Sequence, residues 1–125
     1  MKTKYKYSPS HEWIKIEANQ GTVGITEYAR GELGDTVYVE LPLVGKKVLF
    51  GEEVVVLEST KAASDIYAPV SGEITEVNSI LKEDLTLLNK DPEGQGWLFK
   101  MTLSNIREEE PLLLSLEQYE EMIQN

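Results

Sequence analysis

The sequence predicts a mainly β domain, a sandwich or flattened barrel with short helices and one helix near the C-terminal end. Two observations carry that prediction. Short segments rich in Val, Ile, Tyr and Trp recur along the chain, broken by Gly, Pro, Asp and Asn, as in many-stranded β proteins. Several of them alternate apolar and polar side chains with a period of two, the repeat that gives a strand one buried face.

In chain order the strand candidates are Glu12 to Glu17, Gly21 to Ile25, Thr36 to Leu41, Lys47 to Phe50, Glu53 to Glu58, Ile66 to Tyr67, Gly72 to Val77 and Trp97 to Leu103. The last alternates most clearly, with Trp97, Phe99, Met101 and Leu103 on one face and Leu98, Lys100 and Thr102 on the other. In Thr36 to Leu41, the set Val37, Val39 and Leu41 opposes Tyr38 and Glu40 and is assigned to the core, as are Trp13 and Trp97. Thr26 can cap a short helix through Glu27 to Arg30 that stops near Gly31 or Gly34. Ser115 and Gln118 make the capping-box pattern that opens a helix from Leu116 to Ile123. Pro111 suits the first turn of a short helix ahead of it, and Glu108, Glu109 and Glu110 read as a solvated acidic approach to that turn.

Composition narrows the function classes. The 125 residues are 41% hydrophobic and 27% charged, ordinary for a single globular domain spanning 1–125. A chain of this size buries roughly two thirds of its unfolded surface. There is no cysteine, which excludes disulfides, thiol nucleophiles and Cys-based metal sites. A formal charge of −10 repels phosphate backbones and anionic lipid, so nucleic acid and membranes are poor partners and proteins with basic docking surfaces better ones. No apolar run approaches the ~18 residues of a membrane-spanning helix. The start, Met1 to Tyr7, is basic with no apolar stretch behind it, unlike a signal peptide, and a cytoplasmic location is the expectation. With no oligomerisation stripe visible, so is a monomer. His11, the single histidine, has no metal partner or nucleophile near it in sequence and reads as structural. Gly94-Gln95-Gly96 is too sparse for a dinucleotide fingerprint.

The segment from Gly51 to Gly72 carries the chemistry. An apolar strand, Val54 to Leu57, runs into a small polar turn around Lys61, and Ile66-Tyr67-Ala68 leads away. Lys61 lies ten residues after Gly51 and eleven before Gly72, and each glycine suits a sharp turn. A hairpin presenting one lysine at its tip follows. Ala62, Ala63 and Ser64 are small and leave the ammonium free to be enclosed by a modifying enzyme. Because exposed lysine amines are almost wholly protonated at neutral pH, such a residue serves as an acceptor for an activated acyl donor rather than as a catalyst.

Glu58-Ser59-Thr60-Lys61-Ala62-Ala63-Ser64-Asp65, followed by Ala68-Pro69-Val70-Ser71-Gly72, resembles the lipoyl-attachment segment of the glycine cleavage system H proteins. The likeness extends through Ser10-His11-Glu12-Trp13, Val23-Gly24-Ile25-Thr26, Leu33-Gly34-Asp35, Val39-Glu40-Leu41-Pro42 and Gly96-Trp97-Leu98, and so over nearly the whole chain. Three positions depart from the family pattern. Leu85 stands where the family usually has Pro, Thr60 where Val is common, and Glu32 where plant members have His.

The resemblance implies a lipoyl/biotinyl-type hybrid fold and a non-enzymatic carrier. Lys61 would bear lipoic acid through an amide, with Glu58, Ser59, Ala62, Ala63 and Ser64 as the flank read by a lipoate ligase or a lipoyl/octanoyl transferase. The arm would carry the aminomethyl group of glycine from the pyridoxal-phosphate glycine decarboxylase (P protein) to the tetrahydrofolate-dependent aminomethyltransferase (T protein). Dihydrolipoyl dehydrogenase (L protein) would then reoxidise it. Residues matching Ser10, Glu12 and Asp65 hold the ammonium end of the arm in a cleft, away from water. From the residues alone, the plainer roles are favoured: Ser10 as a turn cap, Glu12 as an exposed strand-edge charge and Asp65 as an ordinary turn residue. The alternative function is a lipoyl relay or redox adaptor that passes lipoyl groups to other proteins without aminomethyl chemistry. Biotin is disfavoured, since Thr60 and Ala62 rather than Met flank the lysine.

Overall fold

The computed structural model describes residues 3–124. Met1, Lys2 and Asn125, and with them the first two residues of the basic start, lie outside the described residues. The chain runs β1 (Thr3–Tyr7), β2 (Glu12–Glu17), β3 (Gln20–Ile25), α1 (Glu27–Leu33), β4 (Thr36–Glu40), β5 (Lys47–Val48), β6 (Glu53–Ser59), β7 (Ala63–Tyr67), β8 (Gly72–Val77), α2 (Thr86–Lys90), β9 (Phe99–Leu103), α3 (Ile106–Glu109) and α4 (Leu116–Ile123). Tight 3-10 turns at Ser79–Lys82 and Glu110–Leu112 complete it. One antiparallel sheet has the order β1-β2-β3-β9-β8-β5, the other β4-β6-β7. Ile14, Val23, Phe99 and Met101 from the first meet Val55, Leu57 and Ile66 from the second in one buried cluster. The architecture is therefore a sandwich of two sheets, not a closed barrel.

Alternation places the core as expected in the best-patterned strands. In β9, Phe99, Met101 and Leu103 are buried and Lys100 and Thr102 half-buried, and in β6 Val55 and Leu57 point inward. Three side chains depart from the prediction. Val37 is 58% exposed, because the β4–β6 register shifts between Thr36 and Tyr38. Such a bulge moves the residue to the other face, so Thr36 is buried instead, its N–H and hydroxyl both donating to Asn89 Oδ1 at 2.9 and 2.8 Å. Leu98 is fully buried while Trp97 is only half-buried under the Lys100 ammonium, 4.9 Å from its ring centre. Both precede the first β9 ladder residue, so strand alternation does not govern them.

Gly51 makes a turn at φ 84°, but Gly72 does not. It is the first ladder residue of β8, opposite Leu103, where an added Cβ would fall 2.1 Å from the Thr102 carbonyl oxygen. Close approach of two backbones, not a turn, requires glycine there. Glu109 also corrects its expectation. It is buried rather than solvated, and its carboxylate accepts from Ser71 N at 2.7 Å and Ser71 Oγ at 2.6 Å. This pair fastens the C-terminal segment to the sheet. Farther on, the capping box of Ser115 and Gln118 forms as read, and Tyr119 of α4 packs with Tyr7 and Trp13 in a second buried cluster.

Strand β1 was not among the candidates. Its Lys4 and Lys6 spoil the apolar pattern, yet charge suits an edge strand, and it pairs with β2 from Thr3 opposite Glu17 to Tyr7 opposite Trp13, its outer flank bridged to Leu114 at Tyr7.

Candidate functional site

Lys61 is at the tip of the β6–β7 hairpin and exposed. The tip residues Thr60 and Lys61 have no positive φ, so the turn is not of the mirror-image types that usually close two-residue hairpins. Side-chain bonds supply the closure instead. Ser59 Oγ accepts from Lys61 N at 3.0 Å and Ala62 N at 3.1 Å and donates to Ala62 O at 3.1 Å. Ser59 N donates to Ala62 O at 2.8 Å, and Thr60 N reaches Asp35 O at 3.4 Å. The Lys61 stem passes over Gly34 at the end of α1, where an added Cβ would lie 3.5 Å from Lys61 Cε.

Beside the tip is a groove of about 280 Å³. Its apolar wall is Ile25, Ala29 and Leu33, and its polar groups include Ser10, His11, Glu32 and Asp65. Ala62, Ala63 and Ser64 form the hairpin side. Asp65 is exposed and Ser64 half-buried.

Glu12 stands just behind the groove at 1% exposure. Its Oε1 accepts from Ser8 Oγ at 2.5 Å and Ser10 Oγ at 2.6 Å, and its Oε2 from Tyr67 N at 3.2 Å. Burial pushes this carboxyl above its ordinary value despite those donors. Glu12 and Ser10 also line a second cavity of about 390 Å³ with Phe50, Ala68, Pro69 and Leu113. Ser10 thus belongs to both spaces, while of these two Asp65 lines only the groove and Glu12 only the second cavity.

Glu58 is exposed and pairs with Ala63 across the hairpin. His11 is held by Tyr119, whose Oη lies 2.8 Å from its Nδ1. Burial lowers its imidazole below the ordinary value, partly opposed by the Glu32 carboxylate. Sequence reasoning missed Ser8 and the Tyr67 amide as partners of Glu12. A serine two residues before Ser10 in a Ser-Pro-Ser turn was the available signal for the first; the second arises only when β7 crosses the turn.

A family model described as "Glycine cleavage H-protein" matches residues 5–125. The chain belongs to that family. It is 57% identical over 113 residues to the glycine cleavage system H protein of Thermotoga maritima, covering 90% of each chain. It is 54% identical over 113 residues to that of Rubrobacter xylanophilus, covering 90% of this chain and 86% of the relative. The crystal structure of a glycine cleavage system H protein from Mycobacterium marinum superimposes with a TM-score of 0.84 at 36% identity, over the full length of both chains. No helix among the described residues is long and apolar enough to cross a membrane.

Proposed function

We infer that Lys61 is the residue on which this chain carries lipoate, as the non-catalytic carrier of glycine cleavage. Family members carry the group on a lysine and work with the decarboxylase, aminomethyltransferase and dihydrolipoyl dehydrogenase. One observation bears most of the weight: the exposed Lys61 amine is held on a side-chain-locked turn beside a groove with an apolar wall and oxygen acceptors.

The residues fit the group. Lipoate supplies a two-electron dithiol–disulfide couple and a sulfur that takes the one-carbon unit. Ile25, Ala29 and Leu33 offer its aliphatic stem an apolar bed and keep water from the far end. Ser10 and Asp65 supply acceptors for an ammonium, and Glu12, fixed by Ser8, Ser10 and Tyr67, holds the Ser10 hydroxyl in place. Glu58, Ser59, Ala62, Ala63 and Ser64 form the surface that a lipoate ligase or a lipoyl/octanoyl transferase would read, with Ser59 setting the turn. The reading includes one domain over 1–125, monomeric and cytoplasmic.

Mass spectrometry of protein made in a lipoylating host should place the lipoyl mass on the peptide containing Lys61. An unmodified Lys61 beside other lipoylated carriers in the same cells would overturn the assignment. Glu12→Ala should speed the loss of the carbon unit from loaded protein in buffer; an unchanged rate would favour the lipoyl relay.

A further inference from the structure

The carrier role as described does not use the buried hydroxyl of Tyr119. Tyr119, 3% exposed, lies 2.8 Å by its Oη from His11 Nδ1 and 2.7 Å from Thr26 Oγ1. His11 belongs to the turn that carries Ser10 and Glu12. Thr26 caps α1, its Oγ1 accepting from Ala29 N at 3.2 Å, and α1 carries Ala29, Glu32 and Leu33. A single hydroxyl from the C-terminal helix therefore joins His11, which lines the groove, to the cap of the helix that supplies its apolar wall.

Neither wall is self-supporting. His11 has φ 76°, a left-handed conformation that a side-chain-bearing residue holds only when its surroundings dictate it. Helix α1 has seven residues, too few to persist without its cap and tertiary contacts. The hydrogen bonds balance in two ways. Thr26 donates to Tyr119 and Tyr119 to His11 Nδ1, or His11 Nδ1–H donates to Tyr119 and Tyr119 to Thr26. The second arrangement also accepts a protonated imidazole, so the link survives titration of His11. Burial raises the Tyr119 phenol above its ordinary value, so it keeps its proton at neutral pH. Glu32 from α1, with Tyr28 at 4.8 Å between ring centres, faces the same imidazole.

We propose that Tyr119 is a positioning residue whose hydroxyl sets the two groove walls relative to each other, so that α4 governs how well the groove shields what Lys61 carries. This rests on the groove reading above. The test compares Tyr119→Phe with Thr26→Ser, which keeps its hydroxyl. In unlipoylated protein, Tyr119→Phe should quicken amide exchange at Ala29 and Arg30 by about threefold or more, the effect of losing one hydrogen bond, while Val23 and Phe99 keep their protection. The His11 titration midpoint, read by NMR, should move. Thr26→Ser should match the wild type in both readouts.

In loaded protein, Tyr119→Phe should speed loss of the carbon unit by a similar factor, with lipoylation at Lys61 unchanged. Uniform quickening at all amides, or unchanged His11 and α1, would overturn the proposal and leave Tyr119 a packing residue. Asp65→Asn runs alongside. If it leaves the loss rate unchanged, the groove reading itself fails; if it quickens the loss and Tyr119→Phe does not, only the role of Tyr119 fails.

Discussion

At the hairpin tip the single charged side chain, Lys61, stands in solvent on a turn whose bonds all run through Ser59 and the backbone. At the Ser8 to Glu12 turn the charged side chain is sealed, with three donors fixed on its carboxylate. The tip is hydrogen-bonded through its backbone with its ammonium side chain exposed, whereas in the turn the side chain is buried and hydrogen-bonded as well. A carrier needs that division. The handle must be enclosed by unrelated enzymes, whereas the acceptors that hold cargo must already be oriented when it arrives, since ordering them at that moment would cost entropy.

The sharpest break of this contrast is Lys61→Arg. It should abolish lipoylation completely, seen as absence of the lipoyl mass, while the urea midpoint stays put because the side chain is exposed and supports no buried contact. At the sealed end, Glu12→Ala should cost about 1 to 3 kcal/mol in urea unfolding, since it leaves the buried Tyr67 amide without its acceptor, while Ser8 Oγ keeps the Glu12 carbonyl as a partner. Lipoylation of Lys61 should continue in that variant, separating the two ends of the site. Ser59→Ala should be milder, about 1 kcal/mol from the loss of its turn bonds, with slower modification in a timed ligase assay.

The smallest effect concerns pH. Because the folded Glu12 carboxyl lies above its ordinary value of 4.5, the native state binds this proton more readily than the unfolded chain. Its contribution therefore opposes folding above the raised value and is relieved as pH falls toward 4.5. The stability of wild type minus that of Glu12→Gln should rise as pH falls through that window, measured by urea titration at several pH values. A difference that instead rises with pH would mean that the donors outweigh burial.

Local pattern made much of the molecule legible. Short-range rules sufficed for the alternation of β9, the Thr26 and Ser115 caps, the turn at Gly51 and the hairpin around Lys61, because each depends on residues a few positions apart. Recognition of the Ser10, Glu12 and Asp65 set came from resemblance, and their chemical types alone left ordinary turn and edge roles open. The edge strand β1 escaped because lysines erase the apolar period while still suiting the edge of a sheet.

The amino-acid order by itself determined a two-faced β protein with a lysine at an exposed tip, since periodicity and turn chemistry are local. Only the tertiary structure decided that Glu109 is buried while Glu108 beside it is exposed, that a bulge turns Val37 outward, and that Glu12 meets the Tyr67 amide 55 residues away. Those outcomes depend on which backbone donors and neighbouring strands arrive from distant parts of the chain, and no window of nearby residues contains that information.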